Sequence, residues 1–226
     1  QPLVNDSVFF QSNYLHPDGL SSLLLPLSSI KTVYPNTEGI IQDTYMGLLP
    51  LILLPASIIL NLREKNKTAW YLLIVSLFIL FISFGYLTPV RGWLNVFPGM
   101  THFRHPGVLR IFFILSYFLY LAYSFKNYNL YTLLQKGNPE RKQIIVTTIV
   151  LILVSSITVL MNATSLSETW RGSAYQTIKN LSKTELLMIS SLIQILFLIT
   201  ILFIIYKGKR FLSFIILSEL IINTLI

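Results

Sequence analysis

Cysteine is absent from the 226 residues, which excludes disulfides, thiolate catalysis and Cys-ligated zinc. Charge is scarce as well. Only 12% of the residues are Asp, Glu, Lys or Arg, against 54% hydrophobic ones and a mean hydropathy of +0.67. A soluble domain could not cover its surface with so little charge. No H-E-x-x-H or comparable metal motif occurs, and no low-complexity linker or internal repeat stands out.

What the chain has instead is apolar runs of roughly 17 to 20 residues separated by charged connectors, the pattern of membrane-spanning helices rather than of alternating barrel strands. The expected fold is all-α: a polytopic transmembrane helical bundle of about six spans, with exterior re-entrant or interfacial segments. The expected spans are Tyr45–Asn61, Ala69–Gly85, Val108–Ser124, Gln143–Met161, Leu187–Tyr206 and a sixth from Phe211 onward. Residues 1–44 read as an exterior loop segment and 45–226 as the transmembrane domain. Pro17, Pro26 and Pro35 break any long helix in the former, and the run SSLLLPLSSI is too short to span. Both ends read as cut, so the chain is expected to be an interior piece of a longer protein.

The formal charge of +8 fits anionic headgroups and membrane orientation better than nucleic acid, because the basic residues flank hydrophobic runs and form no continuous stripe. The connectors after the first, third and fifth expected spans carry ten Lys and Arg, opposed only by Glu64 and Glu140. The other connectors carry six, over longer stretches, with six acids. Cytoplasmic loops retain positive charge. Residues 1–44, 86–107 and 162–186 are therefore expected outside the cytoplasm.

The stretch from Gly85 to Phe113, GYLTPVRGWLNVFPGMTHFRHPGVLRIFF, is far denser in Pro, Arg, His and Trp than a simple connector requires. Arg suits a phosphate ligand, since its planar fork grips two oxygens and keeps its proton. Arg104 lies just before the third expected span and Arg110 about one turn inside it, so both are candidates for a headgroup phosphate; interfacial anchoring of the two arginines is the alternative. Pro106 suits the first position of that helix. His105 is a candidate for hydrogen bonding or for proton transfer to a leaving phosphate. His102 and His105, with His16, Asp18 or Asp43, could offer oxygen and nitrogen ligands, making a divalent cation a candidate cofactor. Trp93 could stack on a sugar, but Trp70, Trp93 and Trp170 also fit an aromatic belt. Asp43 reads as a helix N-cap. Glu219 falls about nine residues, near 1.5 Å each, into the last run, so it is expected to be protonated or paired, with Asn223 one turn on. The N-x-S/T matches at Asn5, Asn66, Asn162 and Asn180 read as chance in an Asn-rich chain.

The order of these signals resembles the YfhO-type bacterial membrane proteins, relatives of the GT-C glycosyltransferases. The likeness is carried by Y-x-G-L-L-P-L at Tyr45 to Leu51, G-x-x-T-P at Gly85 to Pro89 and P-G-x-x-x-F-R-x-P at Pro98 to Pro106. LLLP at Leu23 to Pro26 and ELIIN at Glu219 to Asn223 are also similar. It covers residues 15–125 well and the remainder by helix pattern alone. The resemblance implies transfer of a sugar from a polyprenyl-phosphate carrier to a cell-envelope acceptor on the outer face of a bacterial membrane. It also implies a catalytic carboxylate in an exterior loop upstream of Gln1. The substrate-binding set would then be Arg104, His105, Arg110, Arg91 and Trp93. One departure stands out: relatives carry a basic residue two positions after the last proline, and here that position is Val108. A transporter or flippase of lipid-linked sugars, and a non-catalytic structural membrane protein, remain alternatives.

Overall fold

The computed structural model describes residues 14–25, 43–94, 96, 105–128, 133–134, 137–162 and 182–207. Within them the chain forms five long helices: α1 (Leu48–Glu64), α2 (Lys67–Ser83), α3 (Arg110–Phe125), α4 (Pro139–Asn162) and α5 (Lys183–Lys207). No strand occurs among the described residues. Pro106–Phe125, Pro139–Asn162 and Lys183–Tyr206 are long and apolar enough to cross a membrane. By contrast α1 and α2 have 17 residues each, about 25 Å of helix against a hydrocarbon core of about 30 Å. The expected sixth span lies outside the described residues.

Local chemistry shifts several helix ends from their expected places. Gly47, with φ 88° and ψ 160°, turns the chain into α1 three residues later than Tyr45, a conformation open to glycine and costly elsewhere. Pro50 falls in the first turn, where an amide proton would have no partner. Pro55 lies in the interior and the helix runs through it to Lys65, a left-handed C-cap. Asn66 then caps α2, its Oδ1 accepting from the Ala69 N–H at 3.2 Å. So short a turn reverses the chain between α1 and α2, which meet only near it. At the other end of α2 the chain leaves the helix at Ser83, and Gly85–Leu87 forms a 3₁₀ turn. A second such turn, Pro106–Leu109, precedes α3.

The packing order is α5, α4, α1, α3, α2, with α1 touching both inner neighbours. On one side Leu48, Ile52 and Ala56 of α1 pack with Ile144 and Leu151 of α4 and with Phe197, Leu198 and Ile201 of α5. On the other side Phe113, Tyr117, Tyr120 and Leu121 of α3 fill the space against Met46 and Ala69. The buried positions Ala69, Ser76 and Ser83 of α2 recur every seven residues. Small side chains on one stripe let two helices approach closely, which is how helices associate in lipid. The rest of α2 exposes Tyr71, Ile74, Val75, Leu77, Phe78 and Phe81. So α2 is apolar on nearly every face, although shorter than the three helices long enough to cross a membrane.

The segment before α1 is folded into the bundle. Pro17–Leu20 and Ser21–Leu24 form two short helical turns. Ser22 Oγ lies 2.8 Å from Thr44 Oγ1 and accepts the Thr44 N–H at 2.7 Å. Gln194 of α5 donates its amide to the Leu24 carbonyl, and Ser155 of α4 donates to Gln194 Oε1 at 3.2 Å. Gln194 lies about 16 Å along α5 from Lys183, so the SSLLL run reaches well down the bundle. Irregular backbone survives at such depth only when protein satisfies it. Gln194→Leu leaves the Leu24 carbonyl and the Ser155 hydroxyl unpaired, and is expected to destabilise the protein by about 1–3 kcal/mol. Unfolding in detergent reads this; a change below about 0.5 kcal/mol would mean the contact carries nothing.

Candidate functional site

Four separate stretches meet at the end of the bundle that carries Gly85. Leu15 N–H donates to the Ser83 carbonyl at 2.8 Å. Tyr14 stands edge-on to Tyr86, ring centroids 4.8 Å apart, with the Tyr86 hydroxyl donating to the Tyr14 oxygen at 3.3 Å. Burial, then the hydrogen bond and charge of Tyr86, push the Tyr14 phenol up to about 12, so it stays neutral at physiological pH. Gly85 takes φ +58°, and a β-carbon there would stand 2.8 Å from Tyr14 Cβ and 3.1 Å from Pro106 Cγ. Pro106 and Gly107 are buried, so the start of α3 rests on this contact.

The sequence-predicted residues fall around that joint in different ways. Arg110 opens α3 half-buried, and its Nε donates to the Asp43 carbonyl. This ties the start of α3 to the segment ahead of α1. Asp43 is not the N-cap expected of it: its Oδ1 accepts the Tyr45 N–H at 3.0 Å, a local turn, and Gly47 occupies the cap position. His105 is exposed immediately before Pro106. Arg91 and Trp93 lie on a short helix, Pro89–Leu94, that the sequence reading treated as loop. Trp93 is 69% exposed, as an interfacial aromatic is. Arg104, His102, Trp170, Glu219 and Asn223 lie outside the described residues.

Cation binding finds little support in the donor set. His16 Nδ1 sits 3.3 Å from Asp18 Oδ2 and accepts the Asp18 N–H, but among the described residues no group of three His, Asp or Glu side chains comes together. His102, another of the candidate ligands, lies outside the described residues, and no step is assigned to a divalent cation.

Two polar clusters escaped the sequence reading. The first is buried between α1 and α3. Ser57 Oγ donates to the Leu54 carbonyl at 2.7 Å and Ser124 Oγ to the Tyr120 carbonyl at 2.8 Å. With both hydroxyl protons so used, Ser57 accepts from the Tyr120 hydroxyl at 2.8 Å. Asn61 then gives its amide protons to Tyr120 at 3.4 Å and Ser124 at 2.7 Å. Asn61 Oδ1 is left buried with no donor. The second cluster lies at the opposite end, where Arg63 of α1 pairs with the buried Glu140 of α4 at 3.0 Å. Arg63 Nη2 also donates to the Tyr128 hydroxyl at 3.2 Å, and that hydroxyl donates to Glu64. The Glu64 hydrogen bond holds the Tyr128 phenol above its ordinary value. Asn61 and Gln194 were visible as polar residues inside apolar runs; Glu140 read simply as a connector charge.

No family model matches the chain, and no curated protein or solved structure matches it. The geometry of the Gly85 end and the apolar helices are therefore what a functional reading has to stand on.

Proposed function

We propose that this chain is the membrane portion of a YfhO-type, GT-C-like glycosyltransferase that transfers a sugar from a polyprenyl-phosphate carrier to a cell-envelope acceptor. In this reading α1 and α2 also span, lengthened by Tyr45–Gly47 and Phe84–Leu87, and the residues from Phe211 supply a sixth span. The Lys and Arg distribution orients the Gly85 end outward from a bacterial membrane.

One observation carries the proposal. Two of the three motifs that bear the family resemblance are joined at one end of the bundle, where Gly85 packs against Pro106, and Arg110, just beyond the third motif, holds Asp43, two residues before the first. A lipid-phosphate site needs cations fixed at the membrane boundary, and this joint fixes the start of the helix next to Arg104 and His105. Arg104 then grips the donor phosphate and His105 serves the leaving group, with Arg91 and Trp93 of the Pro89–Leu94 helix taking the carrier and sugar. Arg110 acts by holding the rim together.

Arg104→Ala in the full-length protein is expected to reduce sugar transfer at least about 100-fold, the scale of a lost charge-stabilising donor, while insertion and thermal stability stay unchanged. Normal transfer by an inserted, folded variant would remove the phosphate role. A transporter or flippase of lipid-linked sugars is the second reading, favoured by the discontinuous Ser21–Leu24 segment held at depth by Gln194. It predicts that Arg104→Ala impairs movement of the carrier across vesicles of a protein that makes no glycosidic bond.

A further inference from the structure

A second site lies at the end opposite Gly85. The turn Gly137–Pro139 and the first two turns of α4 enclose a partly open cleft of about 390 Å³, walled by Arg141, Lys142, Ile145 and Val146. That volume falls within the ~300–1,000 Å³ range of pockets that take small molecules. Nothing stands within 4 Å of where a Gly137 β-carbon would lie, so the turn leaves its mouth clear.

The charged side chains of the cleft are all cationic, beside the neutral Asn138. Among the described residues Arg141 Nε, a buried atom, has no hydrogen-bond partner, and Nη2 donates to the Ile205 carbonyl at 3.5 Å. Lys142 is exposed beside it. Among the described residues no Asp or Glu lines the cleft; Glu140, between the turn and Arg141, is paired with Arg63 at 3.0 Å. A guanidinium and an ammonium on one wall of a cleft favour an anionic oxygen as the occupant.

Depth identifies the source of that oxygen. The 24 residues of α4 rise about 36 Å, some 6 Å more than a hydrocarbon core. With α4 read as a span, its first turn with Arg141 and Lys142 falls at the boundary between headgroups and hydrocarbon, and Ile145 and Val146, about 6 Å further along, lie among the first acyl carbons. A soluble anion has no use for that apolar floor.

We propose that this cleft binds the phosphodiester of an anionic phospholipid in the leaflet on the Glu64 side, with Arg141 and Lys142 on the phosphate and an acyl chain over Ile145 and Val146. The inference is independent of sugar transfer. To test it, full-length protein in a neutral detergent is titrated with phosphatidylglycerol, and bound lipid is counted by native mass spectrometry. R141Q/K142Q is expected to weaken binding at least about tenfold, whereas K65Q/K67Q, which removes the same charge from the same end, changes it less than about twofold. V146W keeps every charge but fills the cleft, and is expected to lose binding too; should it not fold, the two charge variants decide. Equal losses in the two charge variants would reduce the site to general surface attraction and overturn the proposal. So would full binding by R141Q/K142Q, or displacement of the lipid by millimolar inorganic phosphate, which would mark a soluble-anion site.

Discussion

Gly85→Ala is expected to destabilise the protein by about 2–5 kcal/mol, the sum of two separate penalties. The first is conformational: an L side chain at φ +58° costs about 1–2 kcal/mol in the left-handed region. The second is steric. The new methyl would sit 2.8 Å from Tyr14 Cβ and 3.1 Å from Pro106 Cγ, and neither neighbour is a flexible chain end. Tyr14 is anchored by the Leu15–Ser83 hydrogen bond and by Tyr86, and Pro106 is a buried ring. Forcing such an overlap costs a further 1–3 kcal/mol or so. Gly92→Ala is the control. Gly92 lies on the short helix with nothing within 4 Å of an added β-carbon, so alanine is expected to be neutral or to stabilise by up to about 1 kcal/mol. Thermal unfolding of both variants in one detergent measures the difference, and equal midpoints would show that the Tyr14–Gly85–Pro106 contact does not hold the rim. Because that contact sets the start of α3, Gly85→Ala should also depress any activity that depends on Arg104 and His105.

The second large effect is expected at Arg63. Its guanidinium is the charge partner of Glu140, whose side chain is only 2% exposed, while Arg63 itself is 52% exposed. Removing one partner of a buried ion pair leaves a carboxylate without compensation, a loss of about 3–5 kcal/mol when both groups are buried. Here water reaches the arginine side, so Arg63→Ala is expected to cost about 2–3 kcal/mol. Charge rather than packing is the cause, and the double variant tests that attribution. Glu140→Gln removes the charge with almost no change of shape, so R63A/E140Q is expected to recover all but about 1 kcal/mol. If the double variant is as unstable as R63A alone, the pair is a packing contact and the electrostatic account fails.

How much of this was legible in advance differs by element. The three long spans could be read because hydropathy sums over some twenty residues and needs no partner. Their ends were less legible: Gly47, Lys65 and Asn66 set α1 and α2 by backbone conformation, and Asp43, which looks like a cap, spends its carboxylate on the Tyr45 amide. The Gly85 to Phe113 stretch announced itself by composition. Its short helix Pro89–Leu94 did not: Thr88–Pro89 suits a helix start, but six residues containing Gly92 carry no apolar period to extend it. Arg110 could be named a candidate cation, but that it would reach back to Asp43 depends on a contact across 67 positions of sequence.

By itself, then, the sequence determined that this is a helical membrane chain without cysteine chemistry, with a cation-rich stretch between two of its apolar runs. Those properties follow from composition and local periodicity, which are additive along the chain. Only the tertiary structure decided that Gly85 must be glycine because Tyr14 and Pro106 close over it, that Glu140 is buried against Arg63, and that Arg141 and Lys142 wall one cleft. Each of these depends on which helix faces are apposed, and that is fixed by packing of distant segments rather than by the residues beside them.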